Sequence, residues 1–68
     1  MRFFRCYWEG MELHAIINRG SFGGCSLEVF TYRNGHKQPY FDHCYKDERG
    51  ALRALKTRFR GAEWEETT

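Results

Sequence analysis

Asp47-Glu48-Arg49-Gly50-Ala51-Leu52-Arg53-Ala54-Leu55-Lys56-Thr57-Arg58-Phe59-Arg60-Gly61 decides how this chain folds, because its residues recur at a helical period. Ala51, Leu52, Leu55 and Phe59 make one apolar face. Asp47 is placed to cap the N-terminus, Glu48 suits the positive end, and Gly61 is placed to end the helix. Gly50 in the first turns weakens it by about 1 kcal/mol relative to Ala. Arg49, Arg53, Lys56 and Arg60 follow one another at spacings of four, three and four residues. At about 100° per residue they fall within a strip roughly 60° wide, centred roughly 115° from the apolar one. The cations therefore flank the buried face. Arg53 follows Arg49 and Arg60 follows Lys56, like-charge pairs that each cost about a few tenths of a kcal/mol. An unpaired basic row needs a partner, inside the fold or outside it.

Upstream of the helix the pattern changes to a period of two. Arg2 to Trp8 reads as a strand with Phe4, Cys6 and Trp8 on one face and Phe3, Arg5 and Tyr7 on the other. Glu9-Gly10 is a turn. Glu12 to Arg19 reads as a second strand, with Leu13, Ala15 and Ile17 on one side. Gly20, Gly23 and Gly24 make Arg19–Gly24 a loop. Ser26 to Tyr32 is the third strand, with Leu27 and Val29 inward and Glu28, Phe30 and Tyr32 opposite. Asn34-Gly35 is a type I′ hairpin signal. His36 to Phe41 returns as a fourth strand, which Pro39 confines to an edge or to a short length. Ala62 to Glu66 is read as an extended tail anchored by Trp64. The expectation is an α+β fold, a small antiparallel sheet of three or four strands with one C-terminal helix on one face, β-β-β-β-α, forming a single domain over residues 1–68. One helix covers one face, so Phe3, Tyr7, Phe30 and Tyr32 are expected on the other.

Length and composition limit what such a domain can do. A chain of 68 residues buries only about 60% of its unfolded surface, so its core must be dense in large side chains. Aromatic residues make up 18% of the chain. Each buries about 150–250 Å², and one small sheet and one helix cannot cover all of them. The net charge of +2 is too mild to argue for nucleic-acid binding by itself. Its distribution says more. Six of the eleven cations lie between Lys46 and Arg60, while Glu63, Glu65 and Glu66 crowd the end of the chain. A tail folded back along the helix would neutralise the basic row internally. No apolar run is long enough to cross a bilayer, and no signal segment is visible. Cys6, Cys25 and Cys44 are odd in number and lack a C-x-x-C spacing, which suits a reduced, cytosolic setting.

Catalytic and metal patterns are weak. Cys44 beside His43 is not a nucleophile–base pair, because adjacent strand residues diverge. Cys6 or Cys25 with His14 has no motif behind it. The cysteines and histidines lack the ligand spacing of zinc modules, and the glycine loop has no Lys-Ser/Thr pair after it. No enzyme activity, metal or cofactor is expected. Arg, Tyr, Trp and Phe, the residue types that concentrate binding energy at interfaces, are abundant. The expectation is a small binding protein that docks on a protein or nucleoprotein complex and acts by occlusion. Its contact residues would be Arg49, Arg53, Lys56 and Arg60 together with Tyr7, Phe30 and Tyr32. The alternative is direct nucleic-acid binding through the basic row and the sheet aromatics. In size and composition the chain is similar to phage-encoded inhibitors of host defence, anti-CRISPR proteins among them. That likeness carries no residue over.

Overall fold

The computed structural model describes residues 1–20 and 23–67. Strands β1 (Arg2–Trp8), β2 (Met11–Arg19), β3 (Cys25–Arg33) and β4 (His36–Tyr45) run as an antiparallel meander. Helix α1 (Glu48–Arg58) follows, and a short strand β5 (Glu65–Thr67) closes the chain. The sheet has five strands in the order β4-β3-β2-β1-β5. The expected α+β architecture is present, with five strands where three or four were expected and with a strand, rather than the helix, as the last element.

Local chemistry accounts for the meander. Glu9 and Gly10 turn between β1 and β2 with φ of 50° and 78°, and Asn34 and Gly35 do so between β3 and β4 with φ of 54° and 80°. Two consecutive positive φ values match the right-handed twist of the strands they join. Ser21 and Phe22 of the glycine loop lie outside the described residues. Pro39 sits on an edge strand, as its missing N–H requires, but that strand is long, ten residues. The cost appears as a bulge: Phe30 pairs with Pro39 and Val29 with Phe41, leaving Tyr40 as the extra residue. The bulge turns the Tyr40 ring toward Trp8 and Phe59, with ring centroids 6.3 and 5.8 Å away.

The helix covers the face carrying Phe4, Cys6, Leu13, Ala15, Ile17, Cys25, Leu27 and Val29, and meets it with Ala51, Ala54, Leu55 and Phe59. Leu13, Leu27 and Val29 are fully enclosed. The small residues at 51 and 54 let the helix lie close to the sheet, so Leu52 is only partly buried. Asp47 caps the helix as its sequence position predicts, its Oδ1 accepting from the Gly50 N–H at 2.9 Å.

The far end differs from expectation. The helix stops at Arg58, and Phe59 leaves helical geometry with φ −124° and ψ 68°. Its ring, 3% exposed, is surrounded by Trp8, Tyr40, Phe41 and Trp64 at centroid distances of 5.3 to 6.1 Å. Tertiary packing of one large ring outweighs one more turn of backbone hydrogen bonds. The two indoles then serve the freed carbonyls of the helix end. Trp64 Nε1 donates to the Leu55 carbonyl at 3.1 Å and Trp8 Nε1 to the Arg60 carbonyl at 2.9 Å.

Arg2 ties three elements together. It bonds to Glu48 at the helix start, and its Nε and Nη2 donate to the two Glu66 carboxylate oxygens at 2.8 and 2.7 Å. Arg19 approaches Glu48 from the other side at 3.6 Å. Hydrogen bonds from Arg2 hold the Glu48 and Glu66 carboxyls below the ordinary glutamate value of 4.5.

Two outcomes are expected. Leu55→Ala should cost about 2–5 kcal/mol and lower Tm by about 10 °C or more, whereas Leu52→Ala should cost about half as much or less. Equal losses on thermal melting would contradict the assigned helix face. Because the two carboxyls are depressed in the folded state, their contribution is complete above their unfolded pKa and is lost as pH falls below it through the folded values. Denaturant titrations from about pH 6 to 3 should show stability falling more steeply for wild type than for Arg2→Gln.

Candidate functional site

The sheet divides the expected contact residues into two groups. Arg49, Arg53 and Lys56 line up along α1 on its solvent side, all exposed, and share a shallow hollow of about 330 Å³ with Leu52. Arg60 is exposed but lies past the helix end, so it does not extend the row at helical spacing. Its like-charge helical pairing with Lys56 is absent for the same reason. Tyr7, Phe30 and Tyr32 stand on the opposite face of the sheet, in register with Glu12, His14 and Lys37. A single flat partner cannot touch both groups at once.

Electrostatics single out the helix side. The acidic tail does not lie along α1. Glu65 and Glu66 belong to β5, which pairs with β1. Glu66 is taken by Arg2 at 2.7 Å and Glu65 approaches Arg5 at 3.9 Å. Among the described residues, Arg49, Arg53, Lys56, Arg58 and Arg60 have no carboxylate within ion-pair distance. Arg58 packs instead over the Phe41 ring, 5.3 Å from its centroid. The internal neutralisation that the sequence allowed is therefore absent.

The open sheet face is built around Phe30. No helix covers it, yet it is 6% exposed. His14 stacks on it at 5.5 Å, Tyr32 meets it edge-on at 5.6 Å, and Lys37 Nζ lies 4.5 Å above its ring. Lys37 also pairs with Glu28 at 3.0 Å. Phe30 is thus the centre of a small second core, while Tyr7 and Tyr32 are 75% and 57% exposed. Tyr7 Oη donates to Glu12 at 2.9 Å, and Glu12 also meets His14 Nε2 at 3.0 Å. Hydrogen bonding from Tyr7 lowers the Glu12 pKa, and the same bond raises that of Tyr7. Phe3, His14, Ile16, Phe30 and Tyr32 border a broad concavity of about 580 Å³ on this face. Phe3 and Ile16 fall outside the expected contact set, although their alternation with Phe4 and Ile17 signals the open face.

Compared with protein-family models, curated proteins and solved structures, the chain matches none of them. Its chemistry must be read from its own residues. The sulfurs of Cys6 and Cys25 are buried on the helix side of the sheet and His14 stands on the other, so the sheet separates these thiols from that base. Burial pushes the Cys6 thiol above its ordinary value. Cys44 is exposed, and His43 beside it points to the opposite face.

A thiol reagent should therefore modify Cys44 in the native protein and reach Cys6 and Cys25 only after denaturation. Rapid native labelling of all three sulfurs, read by mass spectrometry, would contradict this arrangement.

Proposed function

We propose that the protein is a small, non-enzymatic docking protein whose contact surface is the basic side of α1, and that it acts by occluding the surface it covers. The observation that carries this reading is the diversion of the tail acids to β1. Arg2 and Arg5 take Glu66 and Glu65, and the row Arg49, Arg53 and Lys56 keeps its charge for a partner. Charged side chains presented on a rigid helix lose less freedom on binding than the same residues on a loop. Such a row favours an acidic protein surface and accelerates encounter with it. The size and composition shared with phage-encoded inhibitors of host defence, anti-CRISPR proteins included, set the class of occluding protein to which this reading belongs. A reducing, cytosolic setting is part of the same proposal.

Direct nucleic-acid binding is the competing reading, and the two differ in salt dependence. Contact with phosphates would give a log–log slope of about 0.9 unit per phosphate on duplex and about 0.7 on single-stranded oligonucleotides. A protein-directed surface would give weak, sequence-blind retention that vanishes at moderate salt.

The decisive variant is Arg53→Glu with Lys56→Glu. Affinity for the partner should fall by about 2 kcal/mol or more, roughly thirtyfold. Thermal stability should hold, because neither residue has an ion-pair partner to lose among the described residues. The carboxylate introduced at position 53 would also have Arg49 one turn away. A drop in Tm with unchanged affinity would reject the helix surface as the contact site.

A further inference from the structure

Strand β4 is an edge, and its two halves are protected differently. Its first half carries Lys37, Pro39 and the bulge at Tyr40, three devices that keep a foreign strand from pairing. Its second half, Phe41–Tyr45, has no proline and no bulge. Its one formal charge, Asp42, pairs across from Glu28 on the open face. The other edge, β5, is three residues long and acidic. Among the described residues, Phe41–Tyr45 is thus an edge stretch that lacks these devices.

On the helix side two arginines of α1 flank that stretch, while Asp42 belongs to the open face and Asp47 caps the helix. Phe41, His43 and Tyr45 stand on the helix side, opposite Val29, Leu27 and Cys25. Above them Arg53 and Arg58 line a hollow of about 270 Å³ with Tyr45, Gly50 and Thr57. Among the described residues, the buried Tyr45 hydroxyl has no hydrogen-bond partner. A strand added to β4 would lie about 4.8 Å beyond it. Every second side chain of that strand would then stand on the sheet face that carries the helix, toward the flank that bears Arg53 and Arg58.

We propose that Phe41–Tyr45 accepts an extended acidic segment of a protein partner as a sixth antiparallel strand, whose helix-side carboxylates are held by Arg53 and Arg58. The backbone edge selects a polypeptide, since a phosphate chain could pair with the cations and accept from the strand's N–H groups but offers no regular row of donors to its C=O groups. The two arginines select carboxylates on one face of the incoming strand. Asp42 on the other face selects against acids there. A second copy of this chain is a poorer occupant, because its own β4 would bring Lys37, His43 and the neighbouring Lys46 to a rim that is already basic.

This inference rests on the basic-surface reading but adds backbone pairing to it, so its test must separate the two. The probe is a capped peptide of alternating glutamate and threonine, about seven residues long, which places every carboxylate on one face of a strand. The control is the same peptide N-methylated at alternate residues, with its charge kept and its donors removed. Amide hydrogen exchange and chemical shifts of the protein are followed during titration. The expected result is slowed exchange confined to Phe41–Tyr45, at least tenfold weaker binding of the methylated peptide, and loss of binding in Arg53→Glu with Arg58→Glu. Equal binding of both peptides would overturn strand addition while leaving charge-driven docking standing. Failure of the parent peptide to bind at millimolar concentration would overturn strand addition too. The basic-surface reading would then stand or fall on the Arg53→Glu, Lys56→Glu variant alone. Dimerisation of the protein through β4, seen as protection without peptide, would assign the edge to a second copy and overturn the acidic strand.

Discussion

The ring of Phe59 is the point on which the two layers of this protein depend. A three-turn helix lying on a sheet has little area with which to hold itself there, and isolated helices of this length are marginal in water. Phe59 supplies what the helix lacks. By breaking from helical geometry it drops a large apolar side chain between Trp8 of β1, Tyr40 and Phe41 of β4, and Trp64 of the tail. Elements from both ends of the chain thus meet on one residue. The edge-on contacts among these rings add to the area they bury. The bulge at Tyr40 belongs to the same arrangement, since it aims that ring at the cluster.

At the opposite end of the helix the fastening is polar. Arg2 holds Glu48 and Glu66 together, and its position at the start of β1 makes one side chain answerable for helix and tail alike. The two fastenings divide the work. Aromatic packing fixes the helix end from which the tail departs, and the guanidinium fixes where the tail arrives. The consequence for electrostatics is that Glu65 and Glu66 are paired on β1, while Arg49, Arg53 and Lys56 have no carboxylate partner among the described residues.

Much of this was legible in the sequence, for identifiable reasons. The alternation in β1, β2 and β3 separated Phe4, Leu13, Ala15, Ile17, Leu27 and Val29 from their neighbours because successive strand residues point to opposite faces, and the structure shows that the helix covers the face they share. Asn34-Gly35 and Asp47 announced a hairpin and a cap through backbone chemistry that acts within a few residues. What was not legible was non-local. The helix end depends on four aromatic rings that come together only in three dimensions, so Phe59 and Arg60 read as helical. The destination of the tail depends on Arg2, sixty-four residues from Glu66, and charge composition alone allowed the helix as readily as β1. Phe30 read as an exposed aromatic because no periodicity reveals that His14, Tyr32 and Lys37 close over it.

The short strand β5 also has a bearing on how the protein behaves in a crowded solution. It shields the backbone of β1 only at Phe3, Phe4 and Arg5, and this pairing closes nearly the whole chain into a loop. Loop closure over such a length has an entropic cost that a three-residue ladder and two arginine contacts must offset. Segments held by so few bonds open locally long before the rest unfolds. When β5 opens, the apolar and aromatic β1 becomes an unpaired edge of the kind that templates aggregation. The tail acts in this sense as a guard over one end of the β1 edge, held by a short ladder and by Arg2 and Arg5.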